Sequence, residues 1–98
     1  MIHLIATLTI KPGSLPAVMD AVRSCLEATR REDGCISYEL FTSIEDENRL
    51  VFVERWRDRA ALDAHFNMPH LAEWRTRGGH HITSRRIEII TDGKVEEL

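Results

Sequence analysis

Cys35-Ile36-Ser37-Tyr38-Glu39-Leu40-Phe41-Thr42-Ser43 is followed, across the polar turn Glu45-Asp46-Glu47-Asn48, by Arg49-Leu50-Val51-Phe52-Val53-Glu54-Arg55-Trp56-Arg57. Both runs are short and alternate with period two, which predicts strands over 35–43 and 49–57. In the first, Ile36, Tyr38 and Leu40 share a face opposite Ser37, Glu39 and Phe41. In the second, Leu50, Phe52, Glu54 and Trp56 share a face opposite Val51, Val53, Arg55 and Arg57. The simplest pairing is an antiparallel hairpin.

Towards the N-terminus, Ile2 to Ile10 is a short run rich in β-branched residues and reads as a strand. After the turn signal Lys11-Pro12-Gly13, Ser14 is placed to cap a helix whose first turn holds Pro16. Leu15, Val18, Met19, Val22, Cys25, Leu26 and Thr29 form one helical stripe, which stops near Glu32-Asp33-Gly34. Towards the C-terminus, Asp58 caps a second helical region with Ala61, Leu62, His65 and Phe66 at helical spacing. Pro69 breaks or restarts it, and Leu71 and Trp74 continue its apolar edge to Gly78-Gly79. Residues 82–91 are again a strand, and the charged tail 92–98 is expected to arm outward or fray.

The order β-α-β-β-α-β predicts an α+β, ferredoxin-like fold: a four-stranded antiparallel sheet with the helices on one face. The other face, with Ile5, Phe41 and their neighbours, is too apolar to stay wet. Pairing two such faces predicts a homodimer.

A chain of 98 residues is one domain's worth, taken as 1–98 with a core of about 3–91. It is 43% hydrophobic and 30% charged, ordinary for a globular protein. Lys+Arg number 13 against 16 Asp+Glu, a net charge of −3, which argues against nucleic-acid binding. No apolar run approaches the roughly 20 residues of a membrane span, and no signal peptide is visible, so no membrane contact and a cytoplasmic location are expected. Cys25 and Cys35 have no metal-ligand spacing and read as reduced thiols.

Glu54 is an acid among apolar neighbours, where burial raises a carboxyl pKa unless a donor compensates. It is a proton-handling group, a residue that orients a histidine, or a structural Glu satisfied by an Arg or a backbone N–H. His65, on the apolar stripe of the second helical region, is a general base or a core histidine bonded to a carbonyl. Tyr38, Trp56, Phe66 and Trp74 either line an aromatic pocket or fill the core, and His70 shares a helix face with Trp74 beside the Pro69 break. His65, His70, His80, His81 and Glu54 contain enough groups for a two-His, one-carboxylate metal site, but their spacing matches no established motif and no metal is expected. No phosphate loop or G-x-S-x-G element is present. Arg75, Arg77, Arg85 and Arg86 are cations available to an anionic substrate, with solvation as the bland alternative.

Glu32-Asp33-Gly34-Cys35-Ile36-Ser37-Tyr38 resembles the E-x-G-C-x-x-Y segment of the antibiotic biosynthesis monooxygenase (ABM) family. Glu54-Arg55-Trp56, Ala61-Leu62-Asp63-Ala64-His65 and Pro69-His70 are similar to its E-x-W…A-L-x-x-H…P-H run, and Pro12-Gly13 stands where it has a P-G turn. The resemblance covers about residues 3–91 and implies a dimeric α+β barrel. For some members it also implies cofactor-independent oxygenation of quinols or other electron-rich aromatics by O2. On that resemblance His65 is the base or proton shuttle, Glu54 orients it, and Tyr38, Trp56 and Trp74 hold the substrate ring. Other members resemble isomerases of small, phosphorylated carbonyl compounds, which consume no oxygen. A non-enzymatic small-molecule binding module is the third reading.

Overall fold

The structure, a computed structural model, describes residues 1–98. In chain order the elements are β1 (Ile2–Ile10), α1 (Leu15–Thr29), β2 (Cys35–Thr42), β3 (Arg49–Trp56), α2 (Arg59–Phe66), α3 (Pro69–Gly78), a 3-10 turn (Gly79–His81), β4 (Ile82–Thr91) and β5 (Lys94–Glu97). The strands form one antiparallel sheet in the order β2-β3-β1-β4-β5. The fold is therefore α+β and ferredoxin-like, with a fifth strand added at one edge.

That strand corrects the expectation of a frayed tail. Asp92 (φ 50°) and Gly93 (φ 76°) both take left-handed backbone. Two positive φ angles in a two-residue loop are the requirement of a tight hairpin turn, and Asp-Gly is among its preferred pairs. The chain folds back so that Val95 pairs with Ile90 and Glu97 with Glu88.

The inner row of β1, namely Ile2, Leu4, Ala6, Leu8 and Ile10, is buried, as are Leu50, Phe52, Glu54 and Trp56 of β3. Val18, Ala21, Val22, Cys25 and Thr29 of α1 close over them. Ile36 departs from its expected row. It is the extra residue of a bulge, since Cys35 pairs with Trp56 and Ser37 with Arg55, and it is left 53% exposed. Tyr38 keeps its inward position and is buried.

Asp58 caps α2 as expected, its Oδ1 accepting from the Ala61 N–H at 2.9 Å. Ser14 does not cap α1; its hydroxyl meets His81 Nδ1 at 3.0 Å. The second helical region is two helices. Pro69 is the first residue of α3, where its missing N–H costs no hydrogen bond. The break turns the chain so that His65, near the end of α2, and His70, near the start of α3, point at one another's surroundings, with ring centres 6.2 Å apart.

Ile5 pairs with Val53 and Thr7 with Val51, while Phe41 pairs with Val51. Ile5, Val51, Val53 and Phe41 thus form a contiguous apolar patch on the sheet face opposite the helices, where Phe41 is 46% exposed. No helix is long and apolar enough to cross a membrane.

Candidate functional site

Between the sheet and α2–α3 lies a cavity of about 130 Å³. Leu4, Ala6 and Leu8 of β1 and Ile82 and Ile87 of β4 supply apolar wall, and Tyr38, Phe52, Phe66 and Trp74 supply aromatic wall. Its polar lining is Glu54, His65, Arg75 and Arg85. The volume is close to the roughly 150 Å³ that suffices for benzene, so the hollow is of the size of one ring.

His65 is 2% exposed, and its ring packs 4.7 Å from that of Trp56 and 5.4 Å from that of Tyr38. The acid that meets it is Glu32. Glu32 Oε2 lies 2.7 Å from His65 Nδ1 and 2.7 Å from His70 Nε2, and the Glu32 side chain is only 5% exposed. A carboxylate oxygen can only accept, so each facing nitrogen carries a proton. His65 is thereby held as the Nδ1–H tautomer, leaving the Nε2 lone pair free. Nε2 has no protein partner and is not sealed off, because Asn48 Oδ1 is the one fully enclosed polar side-chain atom lacking a bond.

Burial lowers the His65 pKa from its ordinary 6.5, and this outweighs the opposing pull of Glu32; the nearby His70 and Arg75 lower it further. The ring is neutral at pH 7, the form able to take a proton.

Glu54 does not hydrogen-bond His65, contrary to the role the resemblance implied for it. Its Oε1 accepts from Trp56 Nε1–H at 3.0 Å. Burial raises its carboxyl pKa to about 7, against the lowering effect of that bond and reinforced by Glu32. A carboxyl titrating there exchanges protons readily at neutral pH.

Glu32 reaches this position because the chain turns sharply behind it. Gly34 has φ +87°, and a Cβ there would stand 2.5 Å from Ala61 Cβ. Only glycine lets the loop pass this close to α2. The Arg57 N–H also donates to Gly34 O at 2.8 Å and fixes the turn to the end of β3.

Of the expected ring-binding residues, Tyr38, Phe66 and Trp74 line the cavity, whereas Trp56 and His70 stand behind it. Trp56, fully buried, holds Glu54, and His70 holds Glu32. The histidines that were numerous enough for a metal site do not assemble around Glu54. Glu32, His65 and His70 instead place three donor atoms within 4.8 Å. Their 2.7 Å separations are those of charge-assisted hydrogen bonds. An ion would need both facing nitrogens stripped of their protons. His80 and His81 lie apart, ring against ring at 3.9 Å.

Residues 1–77 match the model of the family described as antibiotic biosynthesis monooxygenase. A Mycobacterium tuberculosis protein named "Putative monooxygenase Rv0793" is 43% identical over 72 residues, covering 69% of this chain and 70% of that one. A Synechocystis protein named "Uncharacterized protein sll1783" is 37% identical over 65 residues, which span 66% of this chain and 44% of the relative. The chain thus matches less than half the length of that longer protein. A crystal structure of an antibiotic biosynthesis monooxygenase superposes with a TM-score of 0.87 at 33% identity, over 93% of this chain and 97% of that one.

Proposed function

The chain belongs to the antibiotic biosynthesis monooxygenase family, and from that footing we propose that it is a cofactor-independent monooxygenase of a quinol or other electron-rich hydroxylated ring. The observation that carries the reading is the neutral imidazole of His65, pinned at Nδ1 by Glu32 and open at Nε2 beside a ring-sized cavity.

The residues support the following sequence. The ring enters the cavity against Tyr38 and Trp74, displacing water. His65 Nε2 takes the phenolic proton, and Glu32 stabilises the imidazolium that forms. The electron-rich phenolate gives one electron to O2, and the two radicals combine in a new C–O bond. The O–O bond then breaks. One oxygen stays on the ring carbon as a carbonyl, and the other leaves as water with the hydrogen lost from that carbon and the proton first held by the site. Glu54, titrating near 7, is placed to supply or relay that proton. The overall change is RH2 + O2 → R=O + H2O.

The working unit in this reading is a homodimer in which two sheet faces, each centred on Ile5, Val51, Val53 and Phe41, cover one another.

The experiment is O2 uptake with hydroquinone. Uptake should fall about 10²–10⁴-fold in His65→Gln, the contribution of a general base. Unchanged uptake in that variant, with the fold intact by circular dichroism, removes His65 from the chemistry. Turnover of a carbonyl compound without oxygen consumption favours an isomerase instead.

A further inference from the structure

The rim of the cavity holds two arginines in unusual circumstances. Arg57, Arg59, Arg77 and Arg86 each carry at least one carboxylate partner. Arg75 and Arg85 join no ion pair. Arg23, Arg30, Arg31, Arg49 and Arg55 form no ion pair either, but none of them borders this cavity: Arg30 donates to the Tyr38 carbonyl, and Arg23 lines a separate hollow between α1 and the sheet.

The strand register makes Arg85 more telling. Arg85 pairs with Leu8, Ile87 with Ala6 and Ile89 with Leu4, so all three β4 residues lie on the helix-covered face. A cation thus occupies a row that is otherwise apolar. Plain alternation from Ile87 and Ile89 puts it there, and the register shift between Thr9 and Ile10 brings Ile82 to the same face although it lies three positions from Arg85. Arg86, one residue on, lies on the opposite face and is bound to Glu97 at 3.0 Å. Arg75 comes from the last turns of α3, the element opposite β4 across the hollow. The only acid in the lining is Glu54, deep in the wall.

We propose that the ligand of this cavity is a single-ring phenol bearing a carboxylate, with the ring in the hollow and the carboxylate at the rim between Arg75 and Arg85. The claim rests on the cavity being the site of ring chemistry and adds the class of ring. Two guanidinium forks suit a planar carboxylate. Their charge also offsets the second negative charge that appears when the phenol gives up its proton to His65. The hollow of about 130 Å³ is filled by one ring, which leaves the substituent directed to the mouth.

The test is calorimetric binding under anaerobic conditions, comparing 2,5-dihydroxybenzoate with hydroquinone. The acid should bind at least about tenfold more tightly, the effect of one hydrogen bond to a charged group. That advantage should shrink with added salt and vanish in R75M/R85M, where the acid should bind no more tightly than hydroquinone binds the same variant. Equal affinities in the native chain, or an advantage that survives the double substitution, would overturn the proposal. Tighter binding of hydroquinone monophosphate than of the acid would overturn the carboxylate assignment. Because no turnover is involved, the two readings fail separately. Oxidation of hydroquinone without any preference for the acid sinks the carboxylate alone. Selective, arginine-dependent binding of the acid without O2 uptake sinks the oxygenase alone.

Discussion

Glu32 and His65 are 33 positions apart in the chain, yet Glu32 Oε2 sits 2.7 Å from His65 Nδ1 in a setting where neither side chain is more than 5% exposed. The pair fixes which ring nitrogen faces the cavity and gives the imidazolium a counter-charge once it forms. Glu32→Gln removes the charge while keeping the shape. We expect turnover to drop by about one to two orders of magnitude, a share of the general-base effect. The rising limb of the pH–rate profile should also move to lower pH, because the group that favours the protonated ring is gone. A profile unchanged in both height and position would rule out this positioning role.

The acid–base pair predicts a bell-shaped profile. Activity rises as His65 loses its proton, below its ordinary 6.5, and falls as Glu54 loses its own at about 7. Glu54→Gln should abolish the falling limb. Stability moves in a defined direction as well. The Glu54 pKa is raised on folding, so its contribution is fully present below 4.5 and is lost as pH rises through about 7. The His65 pKa is lowered, so its contribution is present above 6.5 and is lost as pH falls through the folded value. Glu54→Gln should therefore melt higher than the native chain at pH 8, with little gain at pH 4. Calorimetric melts across that range decide the matter.

Gly78 supports the cavity from behind. A Cβ at this position would stand 2.2 Å from Trp74 Cζ3. Trp74 is buried, lines the cavity and packs 6.2 Å, centre to centre, from Phe52. Gly78→Ala should push the indole towards the hollow, at a cost of about 1–3 kcal/mol for overpacking. We expect a lower melting temperature together with weaker ring binding. A variant that melts like the native chain and binds the ring equally well would show that the wall yields freely.

The outer sheet face gives a test of assembly. Val53 pairs with Ile5 on one side and Glu39 on the other, at the middle of the apolar patch. Val53→Asp should shift the chain from dimer to monomer in analytical ultracentrifugation without altering the far-ultraviolet spectrum. Sedimentation as before would mean that copies associate, if at all, through another surface.

The regular parts of this fold were legible because their periods are simple. Strands β1 and β3 alternate cleanly, and α1 carries one apolar stripe. What escaped was set by single residues acting through the backbone. Asp92-Gly93 is a hairpin signal that a charged tail obscured, and it adds a strand. The bulge at Ile36 breaks an alternation that looks continuous in the letters. The shift beside Ile10 brings Ile82 onto the face of Arg85 and Ile87, which no count of periods within β4 alone would reveal. At the candidate site, the apolar faces of the elements make the inward placement of His65, Glu54, Tyr38, Phe66 and Trp74 legible. Glu32 lies within the motif Glu32–Tyr38 but reads in sequence as a polar helix end. Its signal was the glycine two residues later, which allows a close passage over α2 and so carries the carboxylate under the imidazoles. Trp56 and His70 read in sequence as ring contacts, yet neither lines the cavity. Their actual neighbours depend on hydrogen bonds that sequence spacing does not specify.

Glu54 carries a consequence for any effort to make this protein more robust. A carboxyl kept from water and titrating near neutrality is a standing loss of folding free energy in alkaline buffer, retained for what it does to protons. A selection for heat tolerance alone, run at pH 8, should therefore converge on replacements at position 54. The survivors would be hardy but without the Glu54 proton relay, and a second screen that scores turnover would be needed to keep the site.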